Sequence, residues 1–170
     1  MPPSPQREKE ERVYTLSFWL ALGASFLFFF SFQLLTATFP RYIAYIGGTT
    51  AQIGVAMGLL ALASVTARPV VGRLVDSWGR RPLLFVGLGI FALSSALYGL
   101  ARSILPLMGL RLFHGLGIAA FTTAYMALVA DLAPPARRGE VIGLASLSTP
   151  MSLLVAPVLW EFIMREWGFG

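Results

Sequence analysis

From Val13 to Pro40 the chain runs for 28 residues without a formal charge. About 20 helical residues cross the hydrocarbon of a bilayer, so this run can span it, and it is too long for the apolar core of a secretory signal. It is therefore read as a retained anchor, a helix over about 15–39, with apolar stretches following over about 50–71, 83–101, 104–130 and 141–161. Continuous apolar runs of this length mean helices, because membrane barrel strands alternate over about ten residues. The expectation is an all-α membrane protein with five transmembrane helices, preceded by a polar, Pro-rich tail over 1–14.

Composition closes the other routes. Charged residues make up 12% of the 170, the AVILMFWYC set 56%, and the mean hydropathy is +0.73. An average soluble domain carries roughly 25% charge, and one this apolar could not cover its own core. Disorder is excluded for the same reason. The net charge of +5 is spread through short gaps between apolar runs and not gathered in a patch, which argues against nucleic acid. There is no cysteine and a single histidine. No acid-plus-nucleophile group, phosphate-cradling loop or metal-ligand spacing is present, so no enzyme, cofactor or metal site is expected.

The basic residues set an orientation. Arg7, Lys9, Arg12, Arg73, Arg80, Arg81, Arg137 and Arg138 fall on one side of the spans, and Arg41, Arg102 and Arg165 on the other. Positive residues favour the cytoplasmic side, so the N-terminus and the second–third and fourth–fifth connections are expected there. Gly54 and Gly58 stand at a spacing that permits close helix packing, and the brief third–fourth connection around Arg102 and Ser103 implies antiparallel neighbours.

Between the second and third helices stand Gly72, Leu74, Asp76, Gly79, Arg80, Arg81 and Leu84. Gly72 and Gly79 permit a tight reversal, and Asp76 can accept from a helix N-terminus or pair with an arginine. This segment resembles the signature loop of the major facilitator superfamily, G-x-L-a-D-r-x-G-r-k-x-x-l, departing from it at Val75 and Ser77. Arg68-Pro69 resembles the end of helix 2 in efflux- and sugar-type members. Leu107, Arg111, His114, Gly115, Gly117 and Ala119 resemble the family's helix 4 pattern l-x-x-x-R-x-x-q-G-x-g-a-a, with His114 where Gln is common. Asp131 to Glu140 resembles the following loop.

Arg111 is the one charge well inside a span, and such residues normally face a wet cavity or a partner. At about 100° per residue, Arg111, His114, Thr122 and Tyr125 share one arc of the fourth helix, and Ser25, Gln33 and Thr36 share one of the first. Polar stripes point away from lipid. The resemblance implies that these two helices line a central cavity, which makes the seven residues candidate substrate contacts. His114 can serve either as an interhelical hydrogen-bonding group or as a proton relay. No Asp or Glu lies within the first four helices, so proton coupling would need His114 or a residue elsewhere. Arg and His without an acid lean toward a substrate carrying an anionic group. In the fifth helix, Ala156-Pro157-Val158-Leu159-Trp160-Glu161 stands where efflux members carry G-P-x-x-G-G.

The resemblance implies two six-helix halves rocking about a site between them. The five helices over 15–170 correspond to most of an N-terminal half, with Trp167-Gly168-Phe169-Gly170 resembling the outer loop before helix 6. A truncated secondary transporter for a small molecule is therefore expected, in the cytoplasmic (inner) membrane of a prokaryote, needing a second half or an oligomer partner. The alternative is a non-transporting or partner-dependent five-helix interaction or regulatory protein.

Overall fold

A computed structural model describes residues 14–167. The expected tail, with Arg7, Lys9 and Arg12, lies outside the described residues apart from Tyr14, as does the stretch 168–170. Among the described residues six helices follow one another: α1 (Leu16–Tyr45), α2 (Thr50–Trp78), α3 (Arg80–Tyr98), α4 (Ile104–Leu132), α5 (Arg138–Ser146) and α6 (Ser148–Trp167). A single 3-10 turn, Pro135–Arg137, leads into α5. No strand occurs among the described residues. Five segments are long and apolar enough to cross a membrane, the fifth being Pro135–Ile163, which takes in α5 and much of α6.

Two prolines expected near helix ends lie inside helices instead. Pro40 is within α1 and Pro69 within α2. A helix-interior proline costs about 3 kcal/mol, whereas ending a helix in hydrocarbon strands several polar groups at several kcal/mol each. The helices therefore run through. Gly72 also sits in helix, and the expected reversal is made by Gly79 alone, with φ +92°.

The fifth span is broken where one helix was expected. α5 ends at Ser146, Leu147 forms a turn, and the Leu147 N–H donates to Leu144 O and Ala145 O. The cause is Pro150, which has no N–H for the Ser146 carbonyl and whose ring crowds it. Pro157 lies further along, inside α6.

The chain forms two compact units. One comprises residues 14–34 and 126–167 of those described. Here the Ser152 hydroxyl, fully buried, donates to Ser148 O (2.6 Å) and reaches Phe26 O at 3.1 Å, tying α6 to α1.

The other unit comprises Leu35–Tyr125. Its helices approach most closely at glycines. A Cβ at Gly87 would lie 2.5 Å from Phe121 N, one at Gly115 2.5 Å from Leu60 O, and one at Gly117 3.0 Å from Phe91 N. The pairing of 87 with 121 and of 91 with 117 runs α3 and α4 antiparallel. Gly54 and Gly58, the expected packing pair, have nothing within 4 Å of a Cβ position. Phe39, Ile43, Ala56, Tyr98, Ala101 and Leu107 form a buried cluster, and the Tyr42 hydroxyl pins the third–fourth connection by donating to Ala101 O at 2.9 Å. The first turn is closed by Gly47 (φ +83°) and a reciprocal pair, Gln52 N to Thr49 Oγ1 and Thr49 N to Gln52 Oε1. Thr49 and Gln52 have the T-x-x-Q spacing of a capping box, a signal present in the sequence that the reading missed.

Candidate functional site around Arg111

Arg111 is completely buried within the Leu35–Tyr125 unit. Its guanidinium carbon stands 3.2 Å from the centroid of the Phe39 ring and 5.4 Å from that of Tyr98. Aromatic rings from α1 and α3 thus clad a cation carried by α4. Among the described residues no hydrogen-bond acceptor meets Nε, Nη1 or Nη2. A guanidinium has five N–H donors, and a desolvated cation–π contact contributes about 2 kcal/mol. That does not offset a buried charge with its hydrogen bonds unmade, which costs more than the roughly 1–3 kcal/mol of a neutral group.

One turn along α4, His114 is also fully buried. Its Nδ1 lies 2.9 Å from the Tyr98 hydroxyl, a hydrogen bond between α3 and α4, and its ring meets Phe91 edge-on at 4.7 Å. Tyr98 therefore touches both candidate residues. Phe39 and Tyr98 also line a cleft of about 210 Å³ with Leu35, Thr38, Tyr42, Ser95 and Gly99. Sequence reading did not single out Phe39 or Tyr98, because an aromatic in an apolar run carries no sign of what it faces.

The other candidates are placed differently. Tyr125 is buried and stacks on Phe121 at 5.9 Å. Thr122 is half-buried and donates to Ile118 O of its own helix at 2.8 Å. Thr36 is half-buried in the same unit. Ser25 and Gln33 belong to the other unit, where Ser25 is fully buried and its hydroxyl meets no partner among the described residues.

In the signature segment Leu74 is half-buried in α2, and Arg81 is exposed at the start of α3. Asp76 does not cap α3, whose start has no side-chain cap. Its carboxylate reaches Arg80 Nη1 at 4.0 Å and is largely exposed, a pairing worth at most about 1 kcal/mol. Arg80 Nη1 also reaches Val75 O at 3.4 Å. Gly79 joins the two helices with a single residue.

Five apolar spans among the described residues, one of them carrying a buried cation, define a helical membrane protein. The chain belongs to the major facilitator superfamily, whose family model matches residues 21–170. It is 30% identical over 158 residues to the MFS-type efflux transporter ffsH of Aspergillus flavipes, covering 92% of this chain and 26% of that protein. It is 28% identical over 155 residues to Multidrug resistance protein 2 of Bacillus subtilis, covering 90% and 38%. With the inner membrane transport protein YajR of Escherichia coli it shares 31% over 137 residues, 81% and 30% of the two chains. The chain thus spans between about a quarter and two-fifths of the length of these relatives. They are transporters and not enzymes, and this chain is an integral membrane protein of their family.

Proposed function

We propose that this chain supplies N-terminal helices of a secondary transporter that moves a small molecule carrying an anionic group by alternating access. The observation that carries the reading is the guanidinium of Arg111, buried with its nitrogens unpaired among the described residues. Buried ionisable groups in membrane spans persist where a partner or a substrate meets them, and a carboxylate or phosphate is the partner a guanidinium fork fits best. Phe39 and Tyr98 would have to yield for such a group to reach it. Thr36, Thr122 and Tyr125 are secondary contacts in this reading, with His114, while Ser25 and Gln33 belong to the other unit. The Gly72–Arg81 segment, with Asp76 and Arg80, serves conformational switching between the two access states. The rocking movement itself requires a second half, and any proton coupling would run through His114 or a residue of that half. The basic residues favour the second–third and fourth–fifth connections in the cytoplasm, and the bacterial relatives favour a prokaryotic inner membrane.

Vesicle uptake tests the reading. The complete gene product is reconstituted and offered radiolabelled organic carboxylates and phosphates beside cations of similar size. Anion uptake is expected to fall at least tenfold in Arg111→Gln and to survive in part in Arg111→Lys, with unchanged thermal stability of the purified variants. Unaltered anion uptake in Arg111→Gln overturns the anionic-substrate reading. No uptake of any solute by the wild type favours the partner-dependent interaction protein instead.

A further inference from the structure

Arg111 does not line the cleft between α1 and α3, but the two rings that flank its guanidinium among the described residues do. Phe39 stands 3.2 Å from the guanidinium carbon and is buried. Tyr98 stands 5.4 Å from that carbon and meets Phe39 edge-on, also at 5.4 Å. An anionic group entering through this cleft reaches Arg111 once one of these rings moves.

The two rings are held differently. The Tyr98 hydroxyl is hydrogen-bonded to His114 Nδ1 at 2.9 Å, which fixes the far end of that side chain to α4. Phe39 has no polar atom, so packing and the cation–π contact alone keep its ring in place. The next residue, Pro40, lies inside α1. A proline there takes one hydrogen bond out of the helix ladder, so α1 bends most easily beside Phe39. Phe39 is therefore the ring that can leave.

The cleft has room to receive it. Phe39 is already one of its walls, so a change of χ1 between staggered wells moves the ring within a space that it borders. An apolar cavity of about 150 Å³ takes up benzene, and this cleft holds about 210 Å³. Tyr42 and Ser95 on its wall give their hydroxyl protons to Ala101 O (2.9 Å) and Phe91 O (2.8 Å). Neither hydroxyl offers a proton to an anion resting in the cleft, whereas a phenyl ring needs none.

We infer that Phe39 is a gate on Arg111, its ring covering the guanidinium in this state and swinging into the α1–α3 cleft when an anionic group binds. The inference rests on Arg111 as the anion contact and adds what admits the anion to it. A ligand shifts such an equilibrium only by binding one state better than the other. A carboxylate or phosphate does so, because it meets guanidinium N–H groups that the face of a ring leaves unmet. A neutral or cationic solute does not, and the gate stays shut to it.

Reagent access to Arg111 tests the gate in the complete gene product, reconstituted in vesicles. Methylglyoxal, a small dicarbonyl that adds to guanidinium groups, is applied briefly, and its adducts are mapped by mass spectrometry against those on exposed Arg81. Modification of Arg111 is expected to be slow in the wild type. It should be at least tenfold faster in Phe39→Ala and at least threefold faster in the milder Phe39→Leu. Ser95→Phe and Gly99→Leu fill the cleft and should slow it at least threefold below the wild type, because the ring loses the place it swings to. Combining Phe39→Ala with Ser95→Phe should restore at least the wild-type rate, since no ring then has to move. Unchanged modification in both Phe39 variants, or in both filling variants, overturns the gate. A double variant as slow as Ser95→Phe also overturns it and makes the cleft a path for the reagent only. The readout needs no transported solute, so failure of the anionic-substrate reading shows in uptake and failure of the gate shows here.

Discussion

Tyr98 holds together two things that a membrane helix cannot easily keep, a buried cation and a buried imidazole. Its ring is 5.4 Å from the Arg111 guanidinium carbon and its hydroxyl 2.9 Å from His114 Nδ1. The two roles separate by substitution. Tyr98→Phe keeps the ring and removes one hydrogen bond, so it should cost about 1 kcal/mol. Tyr98→Ala removes the ring as well and should cost about 3–5 kcal/mol. Chemical denaturation in micelles reads both, and equal losses would contradict the division. The burial of Arg111 and His114 was legible in the sequence because a charge or an imidazole inside an apolar run has to turn away from lipid. The rings around them were not, because Phe39 and Tyr98 are ordinary residues until α1, α3 and α4 are assembled.

At the scale of elements, glycines divide into those that hold helices together and those that do not. Gly87→Ala and Gly115→Ala would drive a methyl against backbone atoms of α4 and α2 respectively, and each should lower the melting temperature by several degrees. Gly54→Ala and Gly58→Ala meet open space and should be neutral or gain about 0.5–1 kcal/mol. Thermal unfolding of the four variants checks the contrast. The small-residue spacing of Gly54 and Gly58 was visible in the sequence, but spacing alone does not say which face of α2 meets a neighbour.

Helix existence followed from the apolar runs. Helix ends did not, because in hydrocarbon a proline is cheaper to keep inside a helix than a terminus is to expose. Pro40 and Pro69 show this. Pro150 is the counterexample: it lies in the first turn of α6, and the helix restarts there. Its signal, a proline inside an apolar helical pattern, is present in the sequence. Pro150→Ala should join α5 to α6, seen as slowed amide exchange at 147–150, and unchanged exchange would assign the break to another cause.

For the whole molecule, the distribution of basic residues sets a testable direction. The chain has no cysteine, so single cysteines placed at Ser103 and Gly139 report without background. A membrane-impermeant maleimide added to intact cells should label Ser103→Cys and spare Gly139→Cys, and the reverse would invert the orientation. A membrane that holds a proton gradient has different acidity on its two sides. An arginine balanced by a carboxylate loses its counterpart whenever that acid takes up a proton. Arg111 leans on Phe39, a ring with no proton to gain, so no protonation of this partner can release it.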